Sequence, residues 1–518
     1  LTCTSVNRIQ RHGVNLALQR PSGSATHKII KKMSIPAATQ SGEPADGLKR
    51  AAPRSVGIDS AEVLAFLDEV EARGLELHSF MLHRGGAVAA EGWWWPYRPQ
   101  RPYIMHSLAK SFLACAVGLA LDEGLLHLDD KVVSFFPEYL PSKVEDSLAA
   151  MSVEDLLTMR SGHGEETSGA IWRGIGTSWI SEFFNIPLAH PPGTKFVYTS
   201  AASYMLSAIL FKVTGQTLHA YLKPRLFDPL GISGESWDVG PDGINPGGNG
   251  LSCKTADILK LGILHAQLGL WEGKRILSES WVLEATRSHG GNNYGYHWVT
   301  GPDGDYRAIG LFVQMTIVFP KHGAVIAMTA GIDQSPTLLP ILYRHFPAAF
   351  KDGPLKDAAA DAQLKDRLES VAAPHAIVSA PSALPSRISG LVYRAAANPQ
   401  GIRSVRFDFT AGRCVFHLSD ADGDHAIEMG LSDFIETRAS MPGRDLHHGY
   451  VLQDALVVAG ARWRDATTLE MTWIFAQSAF RDTIICRFEG PEVTLDRSVN
   501  VNSKSLSHPT LKGSAAGG

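Results

Sequence analysis

Along residues 60–73 apolar positions recur at helical spacing, with Asp59 or Ser60 standing where an N-cap belongs, so a helix is predicted there. The period then changes. HSFMLHRGGAVAAEGWW (78–94) holds two short apolar runs around Gly85-Gly86, which reads as a hairpin whose turn needs positive φ. SLAKSFLACAVGLALDE (107–123) is strongly helical and ends at Gly124, a residue suited to a C-terminal cap. Helical patterns follow at 152–160, 200–214, 254–269 and 278–286, and short strands are predicted at 295–299, 312–320 and 323–330. Strands at both ends with helices between them predict one sheet covered by helices, an α+β or α/β layered domain.

Beyond this region the pattern changes twice. Residues 352–388 shift to Ala, Pro, Asp and Ser, the composition of a helix end followed by a linker. Residues 389–495 alternate polar and apolar in short runs (SVRFDFTAG, RCVFHLSD, TLEMTWIF, DTIICRFEG) separated by turn residues, which predicts a β-sandwich or barrel. The stretch 498–518 is rich in Ser and Gly and reads as a disordered tail; 34–57 reads as a leader that joins the fold near Asp59.

Composition narrows the function classes. With 518 residues, 44% of them apolar and 19% charged, the chain can bury one large core and a smaller one. A formal net charge of −4 offers no basic face for nucleic acid. The five cysteines (Cys3, Cys115, Cys253, Cys414, Cys486) are odd in number, scattered and never spaced C-x-x-C, as expected of reduced, buried thiols. Residues 1–32 carry six Lys or Arg and no acidic residue, and the first Met is Met33. A transit peptide has this composition; the reading preferred here is that translation starts at Met33. No run of 18 apolar residues occurs, so a soluble and cytoplasmic protein is expected, with a periplasmic location also compatible. No His/Cys/carboxylate cluster has metal-ligand spacing, no cofactor is implied, and the absence of G-x-S-x-G removes the α/β-hydrolase nucleophile elbow.

One pair of residues does point to chemistry. Ser107 and Lys110 stand at i and i+3 of the helix over 107–123, one turn apart on a single face. A serine opening a helix presents its own N–H at the positive end of the dipole, suited to holding an oxyanion. A lysine one turn inside, among Phe112, Leu113 and their neighbours, is placed to act as a base toward it. Ser-x-x-Lys recurs by chance in chains of this length, so the weight falls on its surroundings.

Those surroundings are HSLAKSFLACAVGLALDEGLLHLDDKVVSFFPEYLP, MSVEDLLTMRSGHG, HPPGTKFVYTSAASYMLSAILFKVTGQTLHAYLKPRLFDPLGI, GGNGLSCKTADILKLG and YGYHWV, in that order. Together they resemble the serine hydrolases related to class C β-lactamases and penicillin-binding proteins, a group that includes esterases, D-aminopeptidases, 6-aminohexanoate-oligomer hydrolases and a peptidase acting on linearised microcystin. The resemblance covers roughly residues 55–345. It implies a β-lactamase/transpeptidase-like mixed sheet flanked by helices, with Ser107 as nucleophile and Lys110 as base. The Tyr-x-Asn motif of the group falls on Tyr198-Thr199-Ser200, which implies a proton-relay role for Tyr198 and puts a shorter hydroxyl, Ser200, where an amide would bind substrate. Its Lys/His-x-Gly motif falls on Ala308-Ile309-Gly310, retaining only the glycine, with the N–H of Leu311 as second oxyanion donor. Arg307 cannot replace the lost cation, because adjacent strand residues face opposite sides. β-Lactamase and D,D-carboxypeptidase activities are thereby demoted in favour of esters or internal amides.

Gln314 is a further candidate for lining the site. His106, His163 and His297 are expected to pack or hydrogen-bond, and Trp93, Trp94 and Trp95 to pack on the hairpin. The resulting division is a leader over 1–54, a catalytic domain over 55–351, a linker over 352–388, a lipocalin-like all-β domain over 389–497 and the tail over 498–518. The expected activity is cleavage of an amide or peptide bond in a small, D-residue-containing peptide such as linearised microcystin, through a Ser107 acyl-enzyme. The rivals are a carboxylesterase on short acyl esters and a non-catalytic penicillin-binding-like sensor. The expected partner is a small molecule or short peptide, with no nucleic acid or membrane segment and with homo-oligomer formation left open.

Overall fold

The segment that leads to Ser107 is fixed by two layers, and their construction explains where the site lies. The computed structural model describes residues 46–167 and 169–515. The expectations for Met33, Cys3 and the basic stretch 1–32 lie outside the described residues. Helix α1 (Ser60–Ala72) is capped by Asp59, whose carboxylate accepts the N–H of Ala61. Strands β1 (Leu77–Arg84) and β2 (Ala87–Trp93) form the hairpin around Gly85 and Gly86, both at positive φ as the tight turn requires. Helices α2 (Ala109–Asp122), α3 (Ser200–Thr214) and α4 (Thr255–Ala266) come next. Strands β3 (Val299–Thr300), β4 (Tyr306–Gly310), β5 (Gln314–Phe319) and β6 (Ala324–Ala330) then complete an antiparallel sheet in the order β2-β1-β6-β5-β4-β3. Helix α4 covers one face. Helices α1 and α5 (Ser335–Ala349) cover the other, with Phe66, Phe80 and Phe346 meeting at ring distances of 4.9–5.9 Å.

α2 is buried on nearly every side. Ala109 to Gly118 are all inaccessible, as in a central helix rather than a surface one. At Gly118 a Cβ would stand 2.4 Å from the Trp281 indole nitrogen, so only glycine allows this packing.

Three boundaries depart from the sequence reading. Residues 46–54, assigned to the leader, are ordered: Arg50 bridges Val88 and its guanidinium is held between Asp46 (2.6 Å) and Glu91 (2.8 Å). Within 352–388, assigned to a linker, α6 (Ala358–Ser370) packs on β2, with Leu368 against Gly92. Its low apolar content hid it, because only Ala360, Leu364 and Leu368 are buried.

The third departure concerns the tail. The C-terminal strands are β7 (Val392–Ala395), β8 (Ser404–Thr410), β9 (Arg413–Asp420), β10 (Gly423–Gly430), β11 (Ile435–Ala439), β12 (Ala455–Trp463), β13 (Thr468–Phe475), β14 (Arg481–Glu489) and β15 (Glu492–Val499). A further strand, β16 (Leu511–Ala515), lies inside the segment expected to be disordered; it pairs with both β7 and β15. The order is β10-β9-β8-β7-β16-β15-β14-β13-β12-β11, and a bridge from Gly430 to Gly460 joins β10 to β12 and closes the barrel. The strand LKGSA turns Lys512 and Ser514 outward and has one large apolar residue, Leu511, so its pairing partners supply what its composition does not advertise.

Sheet and barrel form one compact body from Asp46 onward. Trp95 stacks on His375 and meets Phe434, so the expected packing role of the tryptophan run is exercised at the seam with the barrel. Glu76, at the foot of β1, pairs with Arg481 at 2.9 Å. Burial would raise the Glu76 carboxyl, but His78 and Arg481 outweigh it and hold it well below the usual carboxylate range. Among the described residues no helix is long and apolar enough to cross a membrane, and no three His, Cys, Asp or Glu converge as a metal site.

Candidate active site

Ser107 sits in a single 3-10 turn, His106–Leu108, that feeds directly into α2. Its flanks, His106 and Leu108, are buried, while Ser107 itself is half-buried at the surface of the cleft. The turn puts Lys110 over Ser107, with Nζ donating to Ser107 Oγ at 3.1 Å. The same Nζ donates to Ser200 Oγ at 3.1 Å and to the Gly248 carbonyl at 2.8 Å. Lys110 is 2% exposed, and its three hydrogen-bond partners among the described residues, Ser107, Ser200 and the Gly248 carbonyl, are uncharged.

Ser200 reaches Lys110 because Thr199 caps α3, accepting the N–H of Ala201 and starting the helix at Ser200. Ser200 therefore belongs to the Ser107–Lys110 cluster. Tyr198, just before the cap, turns the face of its ring to Lys110, with Nζ 4.9 Å from the ring centroid. It is 36% exposed and stands edge-on to Tyr294.

Gly248 was not singled out from sequence. It lies in the Gly247-Gly248-Asn249-Gly250 run, where Gly247 has φ +68° and a Cβ at Gly248 would meet Ser200 and Ser203 at 3.2 Å. The loop can press its carbonyl onto Lys110 only because these residues lack side chains. The glycine cluster was the available signal.

On the opposite wall β4 ends at Gly310. A Cβ there would lie 2.2 Å from the Met105 carbonyl, so the strand end touches the backbone just ahead of Ser107. Among the described residues neither the Ser107 nor the Leu311 N–H is taken by a backbone acceptor. Both stand next to strained backbone: His106 has φ +48°, and Phe312 and Val313 have φ +66° and +68°. Sequence reading did not flag Phe312 or Val313, since nothing in their side chains announces a left-handed turn.

Ala308 is buried on the site side of β4, whereas Arg307 turns away and donates to the Tyr343 hydroxyl at 3.1 Å. The alternation expected from strand geometry holds, and no cation stands at the Ala308 position. Gln314, a candidate for lining the site, is fully buried and donates to the Ala330 carbonyl at 3.2 Å; a Cβ at Gly310 would meet its Oε1 at 3.3 Å, on the same side as Met105 and His106.

The histidines have structural settings. His163 bonds Ser161 at 2.9 Å, and burial lowers it to about 4. His297 has φ +60°, contacts Ser203 at 3.2 Å and accepts the Ser111 hydroxyl at its carbonyl (2.7 Å); burial, then the neighbouring Lys110, hold its imidazole neutral. That left-handed residue breaks the strand predicted over 295–299, leaving only Val299–Thr300 paired.

A half-buried serine bonded to an inaccessible lysine at the mouth of a central helix, facing a glycine-ended strand, defines a serine hydrolase of the Ser-x-x-Lys type. The family model described as Beta-lactamase matches residues 70–343, just over half of the chain, and the chain belongs to that family. Among its relatives, the 6-aminohexanoate-dimer hydrolase of Paenarthrobacter ureafaciens is 26% identical over 48% of this chain and 71% of its own. Penicillin-binding protein 4 of Amycolatopsis lactamdurans is 26% identical over 49% of this chain and 76% of its own. A solved penicillin-binding protein homologue from Caulobacter crescentus superposes on 55% of this chain and 95% of its own, at 16% identity and a TM-score of 0.47.

Proposed function

We propose that the protein hydrolyses the amide bond of a small peptide through an acyl-enzyme on Ser107. The observation that carries this reading is the 3.1 Å bond between Lys110 Nζ, on an inaccessible side chain, and Ser107 Oγ. Ser107 Oγ attacks the scissile carbonyl carbon while Lys110, in its neutral form with its lone pair turned to Oγ, takes its proton. The N–H groups of Ser107 and Leu311 receive the oxyanion, and fixed donors of this kind are worth about 10²–10³-fold each in rate. Tyr198, whose ring lies against Lys110, relays the proton to the departing amine. Water then attacks the acyl ester and returns the proton to Ser107 through Lys110.

Ala308 decides the substrate class within this scheme. With no cation there to take a substrate carboxylate, internal amides fit better than C-terminal D-Ala residues, and peptides with D-residues such as linearised microcystin are the first panel to try. The same observation favours short acyl esters, whose carbonyl needs no carboxylate clamp; a relative named as an esterase, EstB of Burkholderia gladioli, is 26% identical over 35% of this chain and 53% of its own.

A fluorophosphonate should label Ser107 in the wild type, and Ser107→Ala should lose labelling together with at least about 10³-fold in turnover, the scale of losing a nucleophile. Retained turnover in Ser107→Ala would sink the acyl-enzyme. A panel of D-residue peptides run beside short acyl esters separates the substrate classes, and turnover of esters alone would remove the peptidase reading.

A further inference from the structure

His106 immediately precedes Ser107, is 2% exposed and has φ +48°, a left-handed conformation uncommon outside glycine that its surroundings support. The support comes from a residue 344 positions away, on the barrel. Tyr450 Oη lies 3.1 Å from His106 Nδ1. Either the hydroxyl or the ring nitrogen can supply the proton of this bond. Burial, then Arg173 and His448, hold the imidazole neutral.

The Tyr450 ring is itself clamped. The Arg173 guanidinium lies 3.7 Å over its face and donates to the His448 carbonyl at 2.7 Å, tying the catalytic layer to the loop that carries Tyr450. Phe312 and Phe480 complete the wall around the His106 ring, at 5.5 and 6.5 Å. The barrel also takes the N–H of Ile104 at the Gln477 carbonyl (2.9 Å), so it holds the approach to Ser107 at two points.

We infer that Tyr450 is a positioning residue for the oxyanion site: through its hydrogen bond to His106 it fixes the peptide whose N–H, at Ser107, meets the developing charge. The barrel is thus a working part of the catalytic apparatus. This rests on Ser107 being the nucleophile.

Tyr450→Phe keeps the ring under Arg173 and removes the hydrogen bond. It should lower kcat on a short acyl ester by about tenfold, part of the loss seen when an oxyanion donor is removed outright, with KM unchanged. The matching thionoester, whose sulfur accepts hydrogen bonds poorly, should lose far less, so the ester-to-thionoester ratio of kcat/KM falls. Glycine holds φ +48° unaided. In a His106→Gly background Tyr450→Phe should therefore change nothing further.

Wild-type kcat and ratio in Tyr450→Phe, equal losses on both substrates, or effects that multiply in the glycine background would each overturn the inference. Should Tyr450→Phe fail to fold by near-ultraviolet circular dichroism, Arg173→Met, which frees the same ring, replaces it in the cycle with the same expectations. Activity remaining in Ser107→Ala is a separate outcome, and it brings down the acyl-enzyme reading itself.

Discussion

At Gly310 the end of one strand rests on the carbonyl of Met105, two residues before Ser107. Gly310→Ala would put a methyl 2.2 Å from that oxygen, and backbone cannot step aside as a side chain can. The substitution should cost about 1–3 kcal/mol of stability, as overpacking does, and should reduce turnover more than the stability change accounts for. Urea midpoints beside ester kinetics check this; wild-type turnover would show that the contact does not set the site. Ser107 and Lys110 were legible in the sequence because a serine and a lysine one helical turn apart carry their chemistry in their side chains. The Gly248 carbonyl and the turns at His106 and Phe312-Val313 were not. A backbone group does its work through position, and residue type records position only where glycine is obligatory, as at Gly310 and the 247–250 run.

Among the elements, α2 carries the clearest constraint. Gly118 faces the Trp281 indole at a distance that excludes even a methyl group, and Trp281 is itself nearly buried. Gly118→Ala should destabilise by about 1–3 kcal/mol despite the better helix propensity of alanine, because a packed interior does not expand. A lowered urea midpoint with Ser107 still labelled by fluorophosphonate is the expected result; an unchanged midpoint would contradict it. Long periodic elements were read well: the hairpin around Gly85-Gly86, the central helix and the helix over 200–214 all fall where expected. The misses were of a different kind. Residues 358–370 carry a helix with a thin apolar face, 511–515 form a strand that its neighbours recruit, and 295–299 is interrupted by His297 at φ +60°. In each case tertiary partners decide what local pattern leaves open.

For the whole molecule, buried histidines set the response to acid. Burial lowers His83, His163, His265 and His448 to about 4, against 6.5 in the unfolded chain. His106 and His297 are depressed further. Between these values the unfolded chain binds protons that the folded chain refuses, so this stability is complete above pH 6.5 and is lost as pH falls toward 4. Asp257, raised by burial to about 6, acts in the opposite sense over part of the range but is outnumbered. The urea midpoint should therefore drop from about pH 7.5 to about pH 5, and equal midpoints would refute the account. The strand β16 has a consequence of another sort, in time. Because Leu511–Ala515 closes the gap between β7 and β15, the barrel cannot shut until the ribosome has delivered those residues. Until then β7 and β15 each wait with an open edge, and Tyr450 sits on an unfinished barrel. A nascent chain that already holds Ser107 and Lys110 thus carries an unfinished barrel until Leu511–Ala515 has been made.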